Sequence, residues 1–226
     1  MIVISQLFNQ QEVAELIASL PSSSWEDGSK TAMGMAADVK NNNQADCDDP
    51  KVQALANRIL AQIGNTPDIV SAALPHHIFP PVFNRYSESE EYGYHVDAAV
   101  MRLPNSQNVM RSDVSMTLFL SDPESYQGGE LVLRSDSGEQ AVKLPAGYAV
   151  VYPSRHLHKV NAVTKGTRIA AVTWMQSMIA DPSLRDTLYQ MDKTIQALIN
   201  SGTTQRSELD SLNNVYHNLI RQFAII

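Results

Sequence analysis

The chain has 226 residues, 43% hydrophobic and 18% charged, enough to bury one full core and ordinary for a soluble globular protein. Seventeen basic against 24 acidic residues leave a formal charge of −7, which argues against nucleic-acid binding through a general positive field. Cys47 is the single cysteine, so an intramolecular disulfide and a thiolate zinc cluster are excluded.

From the start, Met1 to Leu20 has no basic n-region and alternates apolar with polar residues. It reads as neither a signal peptide nor a membrane span. With the lone cysteine, this points to a cytoplasmic protein. Ile2-Val3-Ile4 reads as a short strand. Asn9 is a candidate N-cap for a helix to about Leu20, with Val13, Leu16, Ile17 and Leu20 on one face. Trp25 to Gln44 carries Gly28, Gly34 and three consecutive asparagines and reads as irregular, with one strand around Met33. Asp49-Pro50 starts a second helix, whose stripe is Val52, Leu55, Ile59 and Ile63 and whose C-cap is Gly64.

From His76 the texture changes to short β-branched and aromatic runs separated by Gly, Pro, Ser and Asn. Strands are expected at 82–86, 93–97, 114–120, 130–134, 140–144, 148–152, 158–160 and 167–175. No helical pattern lies between them, so the fold expected is mainly β, a sandwich or jelly roll with flanking helices. After Asp181-Pro182 the spacing turns helical. Leu184, Leu188, Met191, Ile195 and Leu198 form one seam, and Leu209, Leu212, Tyr216, Leu219 and Phe223 a second. The two make a C-terminal αα-hairpin that packs on the sandwich or, alternatively, joins two copies of the chain.

The chemistry centres on Tyr92-Gly93-Tyr94-His95-Val96-Asp97. On a strand, His95 and Asp97 project to the same face, since side chains alternate with a period of two. They supply two of the three ligands of a facial triad, in which two His and one carboxylate hold Fe(II) and leave positions open. His158, 63 residues after His95, is the candidate third ligand, and His156 is its local rival. His76 and His77, before a proline-rich turn, and His217, beside the last helical seam, read as structural. Arg168 stands ten residues after His158 in an otherwise apolar strand, on the face of Ala170, Val172 and Trp174. A guanidinium aimed into a core is costly unless it meets an anion, and it forks a carboxylate as Lys cannot. A 2-oxo acid that chelates the metal and is anchored through a second carboxylate by Arg168 fits, and 2-oxoglutarate is such an acid.

With these residues in view the chain resembles, nearly end to end, the iron- and 2-oxoglutarate-dependent dioxygenases of the prolyl 4-hydroxylase type, and specifically the bacterial PKHD-type hydroxylases. The similar segments include Val39-Lys40-Asn41-Asn42, Phe83-Asn84-Arg85-Tyr86, the His95/Asp97 stretch, Gly128-Gly129-Glu130-Leu131, Lys143-Leu144-Pro145-Ala146-Gly147, Leu157-His158 and Thr164-Lys165-Gly166-Thr167-Arg168. The resemblance implies a double-stranded β-helix in a dioxygenase domain over 1–178 (jelly-roll core about 78–178), followed by a helical hairpin over 179–226. It also implies His95, Asp97 and His158 on Fe(2+), Arg168 on 2-oxoglutarate with Tyr86 beside it, O2 as oxidant, and L-ascorbate as a reductant for over-oxidised iron. Related halogenases lack the carboxylate ligand, so Asp97 favours hydroxylation. Gly128-Gly129 reads as a tight turn without chemistry. The substrate class stays open between a peptide and a small molecule, an iron chelator among them because some relatives are associated with iron-uptake genes. The polar stretch 101–113 is a candidate lid. A non-catalytic iron-binding or iron-sensing jelly-roll module is the alternative reading, and a zinc hydrolase, for which no general base is evident, is a second.

Overall fold

The computed structural model describes residues 3–31, 34–104, 106–135 and 138–226. The strand expected around Met33 falls outside them, as does Ile2. Strand residues that alternate between two environments build a jelly roll with one helix-covered sheet. In Val114–Phe119, Val114, Met116 and Leu118 join a core with Leu16 of the helix Gln10–Ser19 and Ile59 and Ile63 of the helix Pro50–Gly64. Their neighbour Phe119 packs in a separate inner cluster with Tyr86, Leu133, Val150 and Tyr152. One sequence thus feeds two layers, as the period of two requires.

The larger sheet runs in the order Val3–Gln6, Tyr148–Pro153, Val114–Phe119, Arg168–Ser177, Val82–Tyr86, Asn43–Ala45, Trp25–Asp27, with Pro75–Ile78 on the far end of Arg168–Ser177. The smaller runs Gly138–Val142, Leu131–Ser135, Leu157–Val160, Glu91–His95, Lys40–Asn41. Both are antiparallel throughout. The chain passes from the smaller to the larger sheet between Lys40 and Ala45, turning at Asn42, which is buried and donates to Asn84 Oδ1 at 3.2 Å. The stretch expected to be irregular therefore carries three short strands.

Both N-terminal helices start as expected. Asn9 and Glu12 form a reciprocal capping box (2.9 and 2.8 Å), and Asp49 caps Pro50–Gly64 by accepting from Lys51 N at 2.8 Å. A further helix, Pro67–Ala73, was not expected. The C-terminal helices Pro182–Ser201 and Arg206–Phe223 pack their seams against each other and onto Leu74 and Ile179, with Leu188, Ile195 and Tyr216 buried. Ser71 donates to Asp192 at 2.6 Å and Lys193 to Asp68 at 2.8 Å, tying the hairpin to Pro67–Ala73. Among the described residues no helix is long and apolar enough to cross a membrane.

Candidate active site

His95 closes the strand Glu91–His95, and His158 lies directly opposite it on Leu157–Val160. Opposed residues of an antiparallel pair bring their side chains together, and the two imidazole centroids are 4.2 Å apart. Asp97 lies two residues past the strand end rather than on it, yet its carboxylate still turns back, with Oδ1 3.7 Å from His158 Nε2. One donor atom from each of the three falls within 4.8 Å of the others, the one such metal-competent group found among the described residues.

Each donor is oriented by a neighbour. His95 Nδ1 sits 2.8 Å from the carbonyl of Gly93, and His158 Nδ1 2.9 Å from that of His156. A protonated Nδ1 on a carbonyl fixes the tautomer that leaves Nε2 free to bind a metal. His156, the expected rival, thus lies in the turn before the strand and serves His158 through its backbone. Burial, reinforced by the neighbouring His158, pushes the His95 pKa down to about 4, keeping this imidazole neutral well into the acid range. Ser115 Oγ donates to Asp97 Oδ2 at 2.6 Å and lies 2.7 Å from Ser154 Oγ. Replacing Ser115 by alanine is expected to cost Fe(II) affinity about 10- to 100-fold, as loss of a partner that orients a ligand does; competition with a coloured chelator measures it, and an unchanged affinity makes the hydroxyl incidental.

Tyr92 stacks flat on His95, centroids 3.6 Å apart and planes at 12°. A strict period of two would send Tyr92 and Tyr94 to the same face. The register shifts between His158 and Val160, so Val160 faces Tyr92, and this irregularity separates the two tyrosines. Tyr94 instead lies on the outer face, its ring under Arg134 (4.2 Å) and Lys159 (4.9 Å). Tyr152, to which the sequence assigns no role, meets His158 edge-on at 5.4 Å and is buried. Its signal was available: it shares the inward register of Val150 in a strand correctly placed.

Arg168 opens the strand Arg168–Ser177, is 2% exposed, and pairs in register with Tyr86. Its guanidinium carbon lies 5.2 Å from the Tyr86 ring and 5.3 Å from that of Phe119. Nε is buried without a hydrogen-bond partner, and among the described residues no carboxylate forms an ion pair with Arg168. A buried cation so placed is unfavourable unless an anion joins it. Gly129, at φ +68°, packs against its stem: a Cβ there would lie 3.1 Å from Arg168 Cδ and 3.0 Å from Val163. Arg168, Tyr86, Tyr152 and the three candidate ligands line one cavity of about 740 Å³. His76 and His77 lie with ring centroids 4.0 Å apart and planes tilted by 31° in Pro75–Ile78, and His217 lies on the last helix beside Tyr216, all three apart from this cavity.

Residues 81–176 match the family model of the 2OG-Fe(II) oxygenase superfamily, and 183–224 that of the PKHD-type hydroxylase C-terminal domain. A PKHD-type hydroxylase of Shewanella frigidimarina is 66% identical over 224 residues, 99% of each chain. The chain belongs to the PKHD-type hydroxylases. The family makes it a 2-oxoglutarate-dependent hydroxylase that works with Fe(2+), which suits a donor set of two imidazoles and a carboxylate beside an anion-seeking guanidinium. Among solved structures, a Pseudomonas putida prolyl-4-hydroxylase superposes with TM-score 0.51 at 18% identity, covering 78% of this chain and 92% of that one. A 2OG-Fe(II) oxygenase-family oxidoreductase from Burkholderia pseudomallei gives 0.54 at 18%, covering 77% and 84%. These two carry the jelly-roll fold.

Proposed function

We propose that His95, Asp97 and His158 hold Fe(II), that Arg168 binds the far carboxylate of 2-oxoglutarate, and that the chain hydroxylates a substrate entering the same cavity. One observation carries this reading: a metal-competent group and a buried guanidinium with an unsatisfied Nε and, among the described residues, no ion pair share one cavity. When bound, the iron would supply oxygen activation coupled to conversion of 2-oxoglutarate to succinate and CO2. The chain's own part is positional. Gly93 and His156 fix the imidazole tautomers, Ser115 holds the carboxylate, and Arg168 sets the cosubstrate's orientation with the Tyr86 ring against it.

Arg168 also separates this reading from a non-catalytic iron-sensing module, which has no use for a second anion site in its core. The cavity's volume suits a small molecule or one side chain of a peptide. The hairpin Val100–Arg102 and Val109–Arg111 spans most of the stretch read as a lid, and Val100, Met101 and Arg102 line the cavity. In this reading residues 1–178 form the oxygenase unit and 179–226 a hairpin docked on it, in the cytoplasm, with ascorbate as an accessory reductant. Succinate release from 2-oxoglutarate in air with Fe(II) is the test; iron binding without any release, with candidate substrates supplied, sinks the enzyme reading of this site.

A further inference from the structure

Lys40 is a cation of the cavity to which the proposed chemistry gives no role. It stands where the chain crosses between the sheets, paired in register with Tyr92. Gly93 permits this approach: its N–H donates to Val39 O at 2.8 Å, and a Cβ on it would lie 2.8 Å from Val39 Cβ. The Lys40 ammonium consequently sits 5.5 Å from the Tyr92 ring, the same ring that stacks on His95. It lines the cavity together with Thr31 and Gln44.

Both of its hydrogen-bond partners are neutral. Nζ donates to Thr31 Oγ1 at 2.9 Å and Gln44 Oε1 at 3.2 Å, which leaves one of an ammonium's three N–H groups over. Among the described residues no carboxylate forms an ion pair with it. Burial outweighs the more distant Asp27 and pushes its pKa down to about 8, the mark of a cation short of compensation. The charge balance of the cavity agrees. A divalent ion beside Asp97, together with Arg168, carries two net positive charges, which the two carboxylates of 2-oxoglutarate neutralise. Asp48 and Arg102 also line the cavity and offset each other, so the half-buried Lys40 leaves one positive charge over in a protein whose overall charge is −7. The same cavity is apolar along Pro80, Pro81, Phe79 and Trp174, the last two meeting edge-on at 5.6 Å.

Building on the oxygenase reading above, we propose that Lys40 is a specificity-determining residue that receives a carboxylate of the primary substrate, whose apolar body lies along Phe79 and Trp174. The substrate class is an apolar acid, whether a free small molecule or the terminus of a peptide. Thr31 Oγ1 already donates to Gln44 Oε1 at 2.8 Å, so Lys40 is not needed as a strut between the two.

The test is a binding measurement on the protein loaded with Zn(II) and 2-oxoglutarate, so that nothing turns over. The probes are the N-acetyl derivatives of leucine, phenylalanine and proline as free acids and as primary amides, with one tripeptide in both forms to separate the two sources. An acid is expected to bind, its amide and the Lys40→Met variant to lose about tenfold or more in affinity, and Lys40→Arg to retain most of it. Equal binding of acid and amide, binding of no acid, or an acid held as well by Lys40→Met as by the native chain overturns the proposal. If Lys40→Met does not fold, the acid–amide pairs on the native chain and Lys40→Arg still decide. Succinate release by the native chain with Fe(II) is measured in parallel. Its failure removes the oxygenase reading, whereas release combined with indifference to the acids removes only the role of Lys40.

Discussion

Replacing His158 by alanine is expected to abolish both Fe(II) binding and succinate formation, while replacing His156 leaves both largely intact. Partners that merely orient a metal ligand are worth about 10- to 100-fold in affinity or activity, so loss of a ligand itself should exceed the upper end of that range. His158 faces His95 across the strand pair and Asp97 from 3.7 Å, and its removal leaves two donors on a single short segment. His156 contributes its carbonyl to His158 Nδ1, and alanine keeps that carbonyl. Asp97→Ala should fall between, weakening iron while both imidazoles stay in place. Chelator competition and succinate assays on the variants give the ranking. A functional His158→Ala beside an inactive His156→Ala would transfer the ligand role to His156.

How much of this was legible in the sequence depends on where each element draws its stability. Val82–Tyr86, Val114–Phe119, Tyr148–Pro153 and Arg168–Ser177 are central strands of the larger sheet, and their own runs of β-branched and aromatic residues declare them. Trp25–Asp27, Lys40–Asn41 and Asn43–Ala45 are two or three residues long, and only Gln44 and Ala45 of them are buried. Lys40–Asn41 and Asn43–Ala45 exist because longer strands offer them a partner, and Trp25–Asp27 pairs in turn with Asn43–Ala45, which no local pattern records. Helix starts were readable because a cap is a local device, as at Asn9 and Asp49.

The candidate site divides the same way. His95, Asp97, His158 and Arg168 stood out through residue type and spacing, and the structure puts all four around one cavity. Ser115, Tyr152 and the cleft-facing turn of Tyr92 did not, because each matters through a neighbour on another strand. Tyr92 reaches His95 only through a register shift. Lys40 belongs to the family-like segment Val39-Lys40-Asn41-Asn42, but its place in the cavity with two neutral hydrogen-bond partners is a three-dimensional fact.

Arg168→Ala should raise the half-saturating concentration of 2-oxoglutarate steeply while leaving Fe(II) affinity nearly unchanged. Truncating one partner of a buried, hydrogen-bonded charge pair costs about 2–5 kcal/mol, which at 1.4 kcal/mol per decade is roughly 30- to several-thousand-fold. Arg168→Lys should recover only part of this, because an ammonium cannot fork a carboxylate. Stability supplies the second half of the test. In the protein free of 2-oxoglutarate, Arg168 is a buried cation with no ion-pair partner among the described residues and an unsatisfied Nε. Exchanging a buried ionic group for an apolar one of similar volume is often neutral or stabilising by about 1–4 kcal/mol, so Arg168→Met should hold or raise the melting temperature, by about 2–4 °C per kcal/mol in a chain of this size. Adding 2-oxoglutarate with a metal should then stabilise the native chain and do far less for the variant. An Arg168→Met protein that melts well below the native one and loses iron in proportion would show instead that Arg168 supports the fold, and that the cosubstrate's far carboxylate is held elsewhere in the cavity.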